Sequence, residues 1–252
     1  MLVILSPAKR LSPAPCPPGL SLTTPAFLEE ARELGDLLRA YSPWQLEGLL
    51  SVSPELALDA FALCQSFAPD TPAAPAVLAY HGLAYQHLAA QALTPGELSA
   101  AQERLRILSA LYGVLRPLDG VCPYRLDFMV KLRPGGKTLY RWWGDKLYRE
   151  LFSAGEPVVN LCSGEYAKAV EPWLKPGDRF ITVRFLQRSR GRLLTKATAA
   201  KAARGAMARW IIREGADRPE QLPAFSQGGW RFSPELSGPL RYAFLLEEDE
   251  TE

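Results

Sequence analysis

Two short stretches carry the residue types that hold anions or move protons. "SPAKR" sets Ser6 and Lys9 just past an apolar run, and "NLCSGEYAKAV" sets Ser163, Glu165 and Lys168 just past another. A hydroxyl and an ammonium can donate to a phosphate, or act as nucleophile and base where burial lowers the lysine pKa. Glu165 can serve as a general acid or base. Each stretch also has a plain structural reading: a strand-end turn with an exposed lysine, and a glutamate capping a helix start. Open sheets commonly place ligand contacts beyond the carboxyl ends of their strands, so both stretches stand where a site would form.

Two further stretches are basic. In "LRILSALYGVLRPLD" the spacing of Leu105, Leu108 and Leu111 predicts a helix, and Tyr112-Gly113 a tight turn. The whole is an imperfect helix-hairpin-helix whose turn N–H groups would face a phosphate, with Arg106, Arg116 and Arg125 in reach. A turn inside the core is the alternative. In "KAARGAMARW" Lys201 and Arg204 share one helix face and Arg209 lies at an angle to it. Two cations on one face repel unless an anion or a carboxylate sits between them.

The elements that must position these groups follow from local signals. "MLVIL" reads as a buried strand, and Thr24-Pro25, Ser42-Pro43, Ser53-Pro54 and Thr94-Pro95 as helix starts. Thr94 with Glu97 also makes a capping box. "APAVLAYHGLAY" reads as strand, "YRWWGDKLYRELF" as helix, "EPVVNLCSGEY" as a strand entering a turn, and "DRFITVRFLQRSRGRLLTKA" as two strands joined across residues 189–191. A helix over "TAAKAARGAMARWIIRE" and a last strand, "LRYAFLLE", complete an α+β pattern: one compact domain over residues 1–246, with a mixed sheet surrounded by helices. No G-x-G-x-x-G follows the first strand, so a dinucleotide fold has little support.

Composition narrows the function classes. With 252 residues, 48% hydrophobic and 22% charged, the chain reads as globular. No apolar run approaches the roughly 20 residues of a membrane span, and the start lacks the features of a signal peptide, so a cytoplasmic protein without a membrane partner is expected. Cys16, Cys64, Cys122 and Cys162 form no C-x-x-C pair, and His81 and His87 form no H-E-x-x-H, so neither a metal site nor a cofactor is expected. The net charge of +2 hides an asymmetry, since the last six residues, "EEDETE", hold five acids. This tail, residues 247–252, is expected to be disordered; it is the one stretch dense in carboxylates, and it could compete with a ligand for a basic surface. Between Lys175 and Arg213 eleven Lys or Arg face one acid, Asp178, as either a solvated face or a site for an anionic partner.

Taken together, "MLVILSPAKR", "LSALYGVLRPLDGVCPYRLDF", "LYRWWGD", "VNLCSGEYAKAV" and "KAARGAMARWII" resemble, in order and over nearly the whole chain, the YaaA peroxide-stress protein family. The resemblance implies a single α+β domain with a basic cleft and a helix-hairpin-helix-like element. It also implies non-sequence-specific, salt-sensitive binding to duplex, branched or unpaired DNA, and a role in limiting DNA damage and free iron under peroxide. Mapped onto this chain, the DNA contacts would be Lys9, Arg10, Arg106, Tyr112, Gly113, Arg116, Arg125, Lys168, Lys201, Arg204 and Arg209. Three departures from the family pattern stand out: Ala110 in the hairpin where the family has glycine, Cys162 with Gly164 before Glu165, and Arg10 after Lys9. The competing expectation is an enzyme for a nucleobase, nucleoside or phosphate substrate, with its pocket built from Ser6, Lys9, Ser163, Glu165 and Lys168. An enclosed pocket joining Lys9 and Glu165 would favour the enzyme, and an open groove along the Lys175 to Arg213 run would favour DNA.

Overall fold

Five parallel strands organise the chain. The computed structural model describes residues 1–72, 74–189 and 191–247; of the acidic tail only Glu247 falls within these. In chain order the strands are β1 (Leu2–Leu5), β2 (Arg10–Leu11), β3 (Ala74–Pro75), β4 (Tyr80–His81), β5 (Leu105–Ser109), β6 (Gly113–Leu115), β7 (Gly120–Val121), β8 (Val158–Asn160), β9 (Phe180–Ser189), β10 (Arg192–Leu194), β11 (Arg231–Phe232) and β12 (Arg241–Leu246). The main sheet runs β11-β12-β9-β8-β1-β5-β6, with β10 paired to β9. Within it β12, β9, β8, β1 and β5 are parallel, and β11, β10 and β6 are antiparallel additions, so the sheet is mixed. Two short ribbons, β2-β4 and β3-β7, lie apart from it.

The helices are α1 (Leu28–Arg39), α2 (Pro43–Leu50), α3 (Pro54–Gln65), α4 (Ala76–Ala79), α5 (Leu83–Leu88), α6 (Pro95–Arg104), α7 (Leu139–Trp143), α8 (Lys146–Leu151), α9 (Gly164–Ala167) and α10 (Ala197–Glu214). Three begin where local capping chemistry predicts. Ser42, Ser53 and Thr94 each accept a backbone N–H ahead of a proline, and Ser42 and Thr94 close full capping boxes with Gln45 and Glu97. Thr24 does not cap a helix. The Thr23 hydroxyl donates to Asp119 at 2.6 Å and the Thr24 carbonyl accepts from Arg116, so tertiary bonds hold this segment and α1 starts at Leu28. "APAVLAYHGLAY" resolves into two short strands and two short helices rather than one strand, and Gly144, at φ +54°, splits "YRWWGDKLYRELF" into α7 and α8.

The expected helix-hairpin-helix is a β-hairpin. Residues 105–109 form β5, a three-residue loop follows, and Ser109 pairs with Gly113 in β6. Gly113 takes φ +69°, and a Cβ there would come within 2.8 Å of Phe27 and Trp143, so this is the position that requires glycine. Ala110 has no positive φ, and its carbonyl accepts the Trp143 indole N–H at 2.9 Å; alanine is compatible with the turn. Tyr112 has no exposed surface, and its hydroxyl accepts from the Cys122 N–H. Neither Tyr112 nor Gly113 can offer backbone donors to a ligand.

"RPLD" anchors this hairpin. Asp119, fully buried, accepts from the Arg116 N–H at 2.7 Å, the Arg116 guanidinium at 3.2 Å and the Thr23 hydroxyl. Gln102 extends the network by donating to the Thr23 hydroxyl and accepting the Leu118 N–H. Removing one partner of a buried charged network leaves the others unpaired, at a cost of about 3 kcal/mol or more. Asp119→Ala is therefore expected to lower the urea midpoint by that equivalent and Asp119→Asn by less; an unchanged midpoint for both would contradict this role.

Candidate functional site

Strands β1 and β8 lie side by side and parallel, yet the chain leaves them in opposite directions across the sheet. From β1 the next parallel strand is β5 on one side, and from β8 it is β9 on the other. Such a divergence opens a crevice beyond the carboxyl ends of the two strands, where open parallel sheets bind ligands. The two "chemical" stretches of the sequence are these two strand ends. The Ser163 N–H donates to the Ser6 hydroxyl at 2.9 Å, and the two hydroxyls lie 3.5 Å apart. The Tyr85 hydroxyl donates to the Ser6 carbonyl at 3.0 Å. Asn160, buried at the end of β8, accepts the Cys162 N–H at 2.8 Å and shapes the turn into α9.

A cavity of about 470 Å³ opens from these ends, within the size range of small-molecule sites. Five cations line it: Lys9, Arg10, Arg125, Lys201 and Arg204, drawn from the loop after β1, the start of β2, the segment before Leu126, and α10. Lys9 pairs with Asp127 at 3.5 Å, while among the described residues Arg10, Arg125, Lys201 and Arg204 have no carboxylate partner. Two carboxylates, Asp127 and Glu165, face these cations. Burial, with Asp127 adding repulsion, raises the Glu165 pKa above the ordinary carboxylate value, against the pull of the Met129 and Phe128 N–H groups and Lys9. One Glu165 oxygen, Oε1, and the Arg204 Nε are both buried without a hydrogen-bond partner.

The remaining expected residues separate into those at the cavity and those with structural duties. Ser6, Lys9, Arg10, Arg125, Ser163, Glu165, Lys201 and Arg204 meet there. Arg106 instead donates to the Gln102 and Leu105 carbonyls at the end of α6, and Arg209 to the Leu88 and Ala89 carbonyls at the end of α5. Arg116 serves the Asp119 network, and Lys168 is exposed on the far end of α9, outside the cavity lining. The Lys175 to Arg213 run does not form one surface at the site. Arg179, Arg188 and Arg213 pair with Glu220, Glu247 and Glu97, and among the described residues of the run only Lys201 and Arg204 line the cavity. Ser6 and Lys9 do not form a nucleophile–base pair, since the lysine is exposed and held by Asp127.

His81, Tyr85, Tyr124, Asp127 and Tyr166 also line the cavity, and pattern reading did not select them as site residues. Asp127 and Tyr124 lie in the loop segment "CPYRLDF", and His81 arrives through the β2-β4 pairing with Arg10. Cys162 lies behind the cavity wall. Burial pushes its thiol up to about 12, against the Ser6 hydrogen bond and the Arg204 charge, so at neutral pH it lacks the thiolate that reacts with peroxide. Among the described residues no three His, Cys, Asp or Glu side chains are grouped to hold a metal ion.

The residues at this cavity lie inside a family match. The model for the peroxide stress protein YaaA family matches residues 1–236. The chain belongs to that family. Relatives extend over its whole length: a "UPF0246 protein" of Limosilactobacillus fermentum is 42% identical, covering 98% of this chain and 100% of the relative. Others from Azoarcus sp. (strain BH72) and Agathobacter rectalis are 41% and 34% identical, covering 99% and 97% of this chain and 100% and 98% of their own. YaaA membership associates the chain with peroxide stress. Among the described residues, no helix is long and apolar enough to cross a membrane.

Proposed function

We propose that this YaaA-family protein binds the phosphate backbone of DNA at the rim of the β1-β8 cavity, independently of base sequence, as its part in peroxide defence. The observation that carries the reading is the set of four cations, Arg10, Arg125, Lys201 and Arg204, that face one opening without carboxylate partners among the described residues. Like charges held together cost free energy unless an anion completes the set, and a polyanion does so while releasing counterions. Lys9, Arg10 and Lys201 are exposed and form the outer contacts, and Arg125 and Arg204 stand deeper. The test is fluorescence anisotropy with labelled duplexes of unrelated sequence at 50 mM salt. Closely similar affinities for all of them are expected, and no binding to any would overturn the reading.

A second reading has its own support. The same opening is a cavity rather than a groove, it brings Ser6, Lys9, Ser163 and Glu165 together, and burial raises the Glu165 pKa above the ordinary carboxylate value. An enzyme acting on a nucleobase, nucleoside or phosphate would use Glu165 as its acid or base. A Glu165→Gln protein that binds duplex DNA normally but no longer protects cells from peroxide would favour this reading; retained protection would remove it.

A further inference from the structure

Phosphate contacts at the rim leave the floor of the cavity unexplained. Two residues that line the cavity carry buried polar atoms of opposite sense, Glu165 Oε1 and Arg204 Nε, neither with a hydrogen-bond partner. Unpaired buried polar groups are costly, more so where charged, so a pair of them in one cavity calls for a ligand that supplies both a donor and an acceptor. Tyr85, Tyr124 and Tyr166 line the same cavity with Leu5, Leu126 and Val130, so much of its wall is aromatic or aliphatic. Tyr124 is held as a neutral phenol by burial and already exchanges hydrogen bonds with Ser109 and Tyr80. A flat, mostly apolar ligand with adjacent donors and acceptors on one edge, joined to a phosphate, matches both the floor and the rim.

We infer that the cavity floor is a site for one nucleobase, presented either by a free mononucleotide or by an unpaired nucleotide in a strand, with Glu165 Oε1 and Arg204 Nε reading its hydrogen-bonding edge. The site rests on the phosphate reading above, because the rim cations would hold the nucleotide's own phosphate. Glu165 accepts from an exocyclic amino or ring N–H, and the Arg204 guanidinium donates to a ring nitrogen or carbonyl. A cavity of about 470 Å³ falls within the range that takes a ligand of this size. Phosphate alone would satisfy neither the Glu165 oxygen nor the apolar walls.

The experiment compares ligands that differ only in the base. Calorimetric titration of the full chain with dAMP, dGMP, dCMP and TMP, against 2-deoxyribose 5-phosphate, is expected to show at least one nucleotide binding roughly 10-fold tighter than the sugar phosphate, a difference of about 1.4 kcal/mol. Glu165→Gln, which keeps the cavity filled, is expected to erase that preference while leaving the binding of fully paired duplex within about 3-fold, and Arg204→Lys is expected to erase the preference as well. A second arm identifies the source: a duplex with one bulged nucleotide should bind more tightly than the same duplex with an abasic bulge if the base comes from a strand, and equally if the site serves free nucleotides. Equal binding of all four nucleotides and of the sugar phosphate would overturn the base site and leave the phosphate reading intact. Binding of neither duplex nor sugar phosphate would overturn the phosphate reading itself.

Discussion

The Arg10→Ala, Arg125→Ala, Lys201→Ala triple variant is expected to lose duplex affinity by on the order of 100-fold or more at 50 mM salt, and to flatten its salt dependence. The reason is counterion release: each phosphate neutralised contributes a slope of roughly −0.9 to the log–log salt plot, so three lost contacts should remove up to about 2.7 from the slope. These three side chains were chosen because they face the cavity and, among the described residues, have no carboxylate partner whose release would disturb the fold. Thermal stability should be unchanged or slightly raised, because mutual repulsion between cations is removed. Replacing Arg106, Arg116 and Arg209 should do the reverse. Those arginines hold the Gln102 carbonyl, Asp119 and the Leu88 carbonyl, so stability should fall while any change in DNA affinity follows the loss of folded protein. A triple variant with unaltered affinity and slope would remove the rim from consideration.

Gly205→Ala is expected to destabilise the protein by about 3 kcal/mol or more and to weaken DNA binding with it. On an isolated helix the same change would stabilise by about 1 kcal/mol, so the sign is decided by packing. A Cβ on Gly205 would lie 1.8 Å from the Ala84 carbonyl oxygen and 2.6 Å from its carbon. Those are backbone atoms of α5, which cannot rotate away, so α10 would have to lift. Lys201 sits one turn earlier on the lifted helix, Arg204 directly precedes Gly205, and Tyr85 adjoins Ala84, so the cavity would open with it. A fall in the urea midpoint together with a fall in duplex affinity is the expected pair of results. An unchanged midpoint would show that α5 and α10 are not locked together as the close approach requires.

Much of the fold could be read where the chemistry is local. The Ser42, Ser53 and Thr94 caps and the β9-β10 pairing need only neighbouring residues, and β1 and β8 are short apolar runs closed by turn residues. Misreading came where tertiary burial overrides periodicity. Leu105, Leu108 and Leu111 fit a helical stripe, but Leu105, Ile107, Leu108 and Ser109 are all buried because β5 packs on both faces, and such a strand loses the alternation that would betray it. Thr24 failed as a cap because Thr23 and Thr24 are claimed by Asp119 and Arg116, some ninety residues away.

The site was legible in halves. Ser6 with Lys9 and Ser163 with Glu165 each carried a strand-end signature, and the adjacency of β1 and β8 joined them. Asp127, His81 and the tyrosines could not be found this way, since loops and the small β2-β4 ribbon bring them in and no spacing rule encodes that. The basic run misled in the opposite direction: its arginines look like one surface in sequence, but a strand and a helix distribute them to different faces and acids such as Glu220 and Glu97 take them up.

The most direct test of phosphate binding at the cavity rim is a salt titration of duplex affinity for the unaltered protein. With three to four phosphates engaged, affinity should fall roughly 40- to 150-fold between 50 and 200 mM salt, along a straight log–log line. Affinity that does not change with salt, or no detectable binding at 50 mM, would contradict it.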